Sequence, residues 1–355
     1  MSSGNMSKNN SIVIWRIIFT YVIMFFHFDN VYVLTNILPG KDGWYIGVEF
    51  FFVVSGFLLY AKLEEKTAVY KSGLSYVGSR FRKIYPYYLI SFILCFVFIW
   101  IRYGWSISDA IKQVGLNFWE IIALQGAGLN IGWNYINNTG WFISILFICE
   151  FLLYHMLAKW KDTTENFVIP IIMIVCFSFL YRNMGRIGAA PETTGFYENW
   201  GLMRGLLDMG FGIEAARLNK NIADTGKNIG IYRMFGNLGL FAVIVVSFIF
   251  GESKMDFIYL VIIAVSVSLA FLPSENKLFA NGFIRGWSAL TLVMYLMHDA
   301  FRTSIFPMIF GYPQPLIDRL LLLALYMAVV TLFSLVLIKT VKCINSSLKK
   351  EKVNA

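Results

Sequence analysis

Residues 12–34 read IVIWRIIFTYVIMFFHFDNVYVL, an apolar run of bilayer length that carries Arg16 and His27. A helix needs about 20 predominantly apolar residues to cross a hydrocarbon core, and this stretch has them. Runs of the same kind recur at 44–61, 84–101, 141–158, 167–181, 200–218, 234–250, 257–272, 287–306 and 316–338. The reading is therefore all-α: one polytopic bundle of about ten transmembrane helices. Its expected limits are a disordered tail over 1–10, a single domain over 11–340 and a basic tail over 341–355.

Working outward, the composition agrees with that reading. Of the 355 residues, 58% are hydrophobic and 14% charged, whereas a soluble domain is nearer half apolar and one quarter charged. The net charge of +9 does not point to nucleic acid, because Lys and Arg cluster in the short segments between apolar runs. That distribution is a topology signal: basic loops stay in the cytoplasm. An even number of helices then places both termini there. The region 102–140 is irregular and reads as a long outer loop with a partial or re-entrant helix. The segment from Lys62 to Lys83 reads as a charged inner loop. Cys95, Cys149, Cys176 and Cys343 are scattered without metal or redox spacing, so no metal is expected. Walker A, GxGxxG, GxSxG and HExxH patterns are absent.

Ionisable groups inside a span are costly and commonly mark a functional cavity or a buried pair. Arg16 and His27 are eleven residues apart, which brings them to within about 20° on one helical face and about 16 Å apart along the axis. The alternative is a snorkelling arginine and a packing histidine. Glu49 enters the second run at a depth similar to His27, where a carboxylate could orient the imidazole; pairing with a cation elsewhere is the plainer role. Arg80, Arg82 and Lys83 stand before Tyr85-Pro86 and could hold phosphates, besides setting topology. His298-Asp299, Glu150 and Asp208 are further candidates for lining the same cavity, with ion pairing as the alternative for Glu150 and Asp208.

Together these motifs carry a resemblance. Arg16 with His27, GVEFFFVVSGFLL at 47–59, SRFRKIYPYY at 79–88 and the late MYLMHDAF at 294–301 are similar to the acyltransferase 3 family. The resemblance implies a ten-helix inner-membrane enzyme that moves an acyl group, usually acetyl, from cytoplasmic acyl-CoA to a hydroxyl of a cell-surface glycan. It gives Arg16 and His27 the essential roles and maps Arg80 and Arg82 onto the donor-binding loop. On this reading Arg16, Arg80, Arg82 and Lys83 bind the donor, His27 is the base or a transient acyl carrier, and Glu49 orients it. The rival readings are a transporter or flippase, and a sensory membrane module without covalent chemistry.

Overall fold

The computed structural model describes residues 10–32, 34, 43–64, 72–129, 135–188, 199–273, 287–312 and 315–354. The tail over 1–9, the Pro39-Gly40 turn, most of the segment following Glu64, and Pro191, Glu192 and Glu198 lie outside the described residues.

Every regular element among the described residues is helical. The long ones are α1 (Asn10–Tyr32), α2 (Gly47–Glu64) and α3 (Gly73–Tyr103), then the short α4 (Ile107–Leu116), α5 (Trp141–Lys159) and α6 (Ile169–Asn183). They continue with α7 (Trp200–Thr225), α8 (Ile229–Phe250), α9 (Asp256–Ala270), α10 (Ser288–Ala300) and α11 (Leu316–Asn354). Among the described residues, seven helical stretches are long and apolar enough to cross a membrane. Three more helices among them make the bundle consistent with the expected count of about ten. Of these, α7 is rich in charge, α9 is short, and α10 is prolonged through a π-helical turn, Phe301–Ile305, to Phe310.

Tyr21 of α1 bonds Thr331 of α11 and Phe28 packs on Tyr326, so α11 runs antiparallel to α1 and its far end shares the face of Asn10, called here the N-terminal face. Arg233 bonds Ser11 there at 3.2 Å, and Lys161 and Lys220 both pair with Glu64. On the far face Tyr45 donates to Asp256 and Arg186 pairs with Glu252. The exterior of α6, α8 and α11 is apolar and exposed, with Phe167, Ile174, Phe241 and Leu321 facing outward. Contiguous apolar surface on that scale has no counterpart on a water-soluble monomer; in hydrocarbon it is the face required. The chain is a multi-pass membrane protein.

Two boundaries differ from the sequence reading. The charged segment before residue 84 is not all loop: α3 begins at Gly73, set by a capping box in which Ser72 and Ser75 satisfy each other's backbone N–H groups. Pro86 sits inside this helix rather than starting it. The basic tail after residue 340 continues as helix to Asn354, and the segment over 107–116 is an amphipathic helix with its own capping box at Ser106 and Asp109.

The helix at the centre is α2, which packs most closely on α7. Two glycines permit the approach. A Cβ on Gly212 would stand 2.0 Å from the Val53 carbonyl oxygen, and one on Gly56 would stand 2.2 Å from that of Met209. Both neighbours are backbone, so the helices themselves must separate to admit a methyl group. Gly212→Ala should therefore destabilise the fold by roughly 1–3 kcal/mol or more, the usual scale of overpacking. A lower midpoint in a detergent thermal-unfolding assay would register it, and an unchanged midpoint would mean that the crossing is loose.

Candidate active site

α1 has one face on the bundle. Phe19, Ile23 and Phe28 are buried, and Arg16 and His27 are each partly accessible. Neither points into lipid from the exposed strip around Ile18. Arg16 and Arg80 line one cavity of about 110 Å³ together with Ser55, Phe142, Thr291 and Tyr295. That volume is well below the roughly 300–1,000 Å³ of sites that enclose a whole drug-sized ligand. It suits a chain-like group or a small head group. Two guanidinium groups converging on one partly enclosed space repel each other, and an anion placed between them removes that cost.

The cavity leads toward an imidazole pair. Tyr295, in its wall, accepts through its backbone carbonyl a hydrogen bond from His298 Nδ1. A carbonyl oxygen only accepts, so Nδ1 carries the proton and Nε2 of His298 is left with its lone pair. Nε2 is buried and has no hydrogen-bond partner. The ring it belongs to stands 5.1 Å from the ring of His27, centroid to centroid, at 36°.

Asp299 and Arg302 fix the surroundings. Arg302 Nε donates to Asp299 Oδ1 at 3.0 Å, and its Nη1 donates to the backbone carbonyl of His27 at 3.2 Å. This clamp holds α1 against α10 at the level of the histidines. The π-helical turn over Phe301–Ile305 sets where Arg302 points; such turns occur often at functional sites. Asp299 also accepts from the backbone N–H of Asn138 at 3.1 Å, which ties in the segment before α5. Glu120 accepts from the N–H groups of Ile136 and Asn137, and its backbone carbonyl accepts from Tyr88 of α3.

Several sequence expectations are redistributed. Glu49 does not orient His27: it pairs with Arg204 of α7, in a buried site where Arg204 also lies 5.5 Å from the Trp141 ring centroid. Asp208, one turn after Arg204, is wholly buried and its oxygens have no hydrogen-bond partner. Glu150 pairs with Arg80 at 2.9 Å, so it shapes the arginine-lined cavity by holding a cation in its wall. Arg82 and Lys83 are exposed and do not line that cavity. On a helix at 100° per residue, Arg82 lies about 200° around from Arg80. Of the basic cluster only Arg80 joins Arg16. The clamp residue Arg302 was not singled out from the sequence. Its signal was present: a cation four residues after a histidine within an apolar run.

Because both members of the Glu49–Arg204 pair are buried, removing one leaves an uncompensated charge, at a cost of roughly 3–5 kcal/mol. Glu49→Ala should accordingly reduce the folded yield, whereas Glu49→Gln keeps an acceptor for Arg204 and should recover most of it. Yield and thermal midpoint of the two variants check this. Equal behaviour would mean that the pair is not structural.

No group of three or more His, Cys, Asp or Glu able to hold a metal occurs among the described residues. A family model described as an acyltransferase domain matches residues 9–339. No curated protein and no solved structure matches the chain.

Proposed function

The chain belongs to the acyltransferase domain family, and from that premise we propose that it moves an acyl group, acetyl in the simplest case, from a coenzyme A thioester to a hydroxyl of a cell-surface glycan. The observation that carries the proposal is the pair Arg16 and Arg80 in one cavity whose wall, at Tyr295, holds the imidazole pair His298 and His27. The N-terminal face is read as cytoplasmic, because Lys161, Lys220, Arg233, Lys339 and Lys342 gather there. The setting is then the cytoplasmic membrane with both termini inside. The donor's phosphates meet Arg16 and Arg80 at the inner side, and its pantetheine arm carries the thioester toward the histidines.

His27 takes the proton of the incoming hydroxyl as its oxygen attacks the thioester carbonyl. The tetrahedral intermediate collapses by breaking the C–S bond, and the departing thiolate recovers the proton from the imidazolium. The products are an ester and free coenzyme A, with no charge left over. General-base help of this kind contributes roughly 100- to 10,000-fold. Attack by His27 itself, giving a transient acyl-imidazole, is the variant chemistry; acid quench followed by intact-protein mass spectrometry separates the two. His298 acts as a positioning residue: its ring packs 5.1 Å from that of His27, centroid to centroid, and limits the orientations open to the base.

His298→Ala should thus lower kcat by part of that 100- to 10,000-fold range with KM for the donor held. It should also shift the limb of the pH–rate profile that reports the base. A profile superimposable on wild type would assign His298 to packing alone. The function as a whole is tested by mass spectrometry of surface glycans from cells with and without the gene. The expected result is the loss of one acyl mass in the deletion and its return on complementation. Identical glycans, with no turnover of acetyl-CoA by the purified protein, would overturn the reading.

A further inference from the structure

A second cavity opens at the far face, about 410 Å³ in volume, between the end of α3, α4 and the π-helical turn that follows α10. We propose that this cleft is the acceptor subsite, and that it takes the pyranose rings of a glycan presented at membrane-surface level; the proposal rests on the acyltransferase reading above.

The lining has the chemistry for it. Tyr103 and Trp105 stand in parallel, 6.2 Å apart and 14° from coplanar, and Tyr135 adds a third aromatic ring. Gln113, Thr303 and Ser304 supply hydrogen-bonding groups among them. Aromatic faces accept the C–H side of a sugar ring while neighbouring polar groups meet its hydroxyls, the usual composition of a ligand cleft of this size. Arg102 is the one charged residue in the lining, and it is already engaged: it donates to the Thr303 carbonyl and to the Tyr312 hydroxyl. It braces the wall. Its charge remains at the rim of the cleft, so the rings and the uncharged polar groups carry the recognition of a sugar whether or not it bears a carboxylate.

Two walls of the cleft lead directly to the imidazole pair. Thr303 and Ser304 follow Arg302 in the same π-helical turn, and Arg302 holds the His27 carbonyl. Across the opening, Ile136 lines the cleft, and two residues later the Asn138 N–H bonds Asp299, the neighbour of His298. A hydroxyl held in this cleft stands beside the histidines, on the side opposite the arginine cavity.

The height of the cleft follows from α4. Ile107, Ile111 and Val114 are exposed and fall within about 60° of one another around the helix axis. Asp109 and Lys112 occupy a different, solvent-exposed side, while Ala110 and Asn117 are buried against the protein. A helix with separate apolar, polar and packed sides lies in the interface plane of a bilayer. Gln113, which lines the cleft, belongs to this helix. The cleft therefore opens among the lipid head groups, where a membrane-tethered or surface glycan is found.

Saturation-transfer NMR on the full chain in nanodiscs tests this, with maltotriose, triacetylchitotriose and trigalacturonate as probes. Transfer to at least one trisaccharide is expected, at least tenfold weaker in Gln113→Ala and Trp105→Ala and restored in Trp105→Phe, which keeps a ring in place. Transfer to none of the three, or equally in every variant, would overturn the subsite. Acetyl-CoA turnover by the unaltered protein, with water as acceptor, is scored separately. Turnover together with sugar binding that ignores both alanine substitutions removes the subsite and leaves the acyltransferase reading standing. Absence of turnover removes that reading, and the acceptor role with it.

Discussion

His27→Ala is expected to lower acyl transfer by roughly 100- to 10,000-fold, the range that a positioned general base contributes, while the protein still inserts and still binds acyl-CoA. The side chain is partly accessible and makes no hydrogen bond that holds the fold; the contact that ties this part of α1 to α10 runs from Arg302 to the His27 backbone carbonyl, which alanine retains. The neighbouring imidazole is no substitute. His298 is wholly buried, whereas the His27 side chain is partly accessible, so an incoming hydroxyl meets His27 and not His298. The loss should appear in kcat when free thiol is followed in a single turnover, with the dissociation constant for coenzyme A unchanged by calorimetry. Wild-type turnover in the alanine variant would eliminate the mechanism, whichever of the two chemistries is assumed for the base.

The division between what sequence conveys here and what it withholds has a physical origin. Helical spans were legible because hydrocarbon imposes length and polarity rules on each segment independently; the expected runs at 141–158 and 257–272 lie within a residue or two of α5 and α9. Boundaries set by polar capping were not. Ser72 begins α3 well before its apolar part, and no hydropathy rule marks that. In the site, Arg16 and His27 could be placed on one side of α1 from a spacing within a single helix. The partners of Glu49 and Glu150 depend on how different helices rotate against each other, and periodicity within one segment carries no information about that. Thus depth suggested Glu49 for His27, whereas the glycine-mediated approach of α2 to α7 gives it Arg204. The basic cluster before Tyr85 likewise offered three cations, of which the resemblance mapped Arg80 and Arg82, and the rotation of α3 leaves only Arg80 in the cavity wall.

The other large effect falls on the donor, and the choice of variant decides whether it can be read. Arg80→Ala would strand Glu150, which is fully buried and paired with it at 2.9 Å, so lost folding and lost binding would be mixed. Arg16→Ala avoids that difficulty, because it leaves the Arg80–Glu150 pair in place. Truncating one member of a desolvated charge pair costs roughly 2–5 kcal/mol, about 30- to 5,000-fold in affinity, and acyl-CoA binding should weaken on that scale. Arg16→Lys keeps the charge but not the planar fork that grips a phosphate, and should fall between. The Arg80→Ala/Glu150→Ala double variant deletes both members of the ion pair, so comparison with each single variant isolates the donor contact. Glu150→Gln frees Arg80 from its competitor. Its empty form should therefore unfold earlier than wild type, and coenzyme A should raise its midpoint by more, because a ligand stabilises in proportion to its affinity for the folded state. A coenzyme A shift identical in wild type, Arg16→Ala and Glu150→Gln would place the donor somewhere other than between these two arginines.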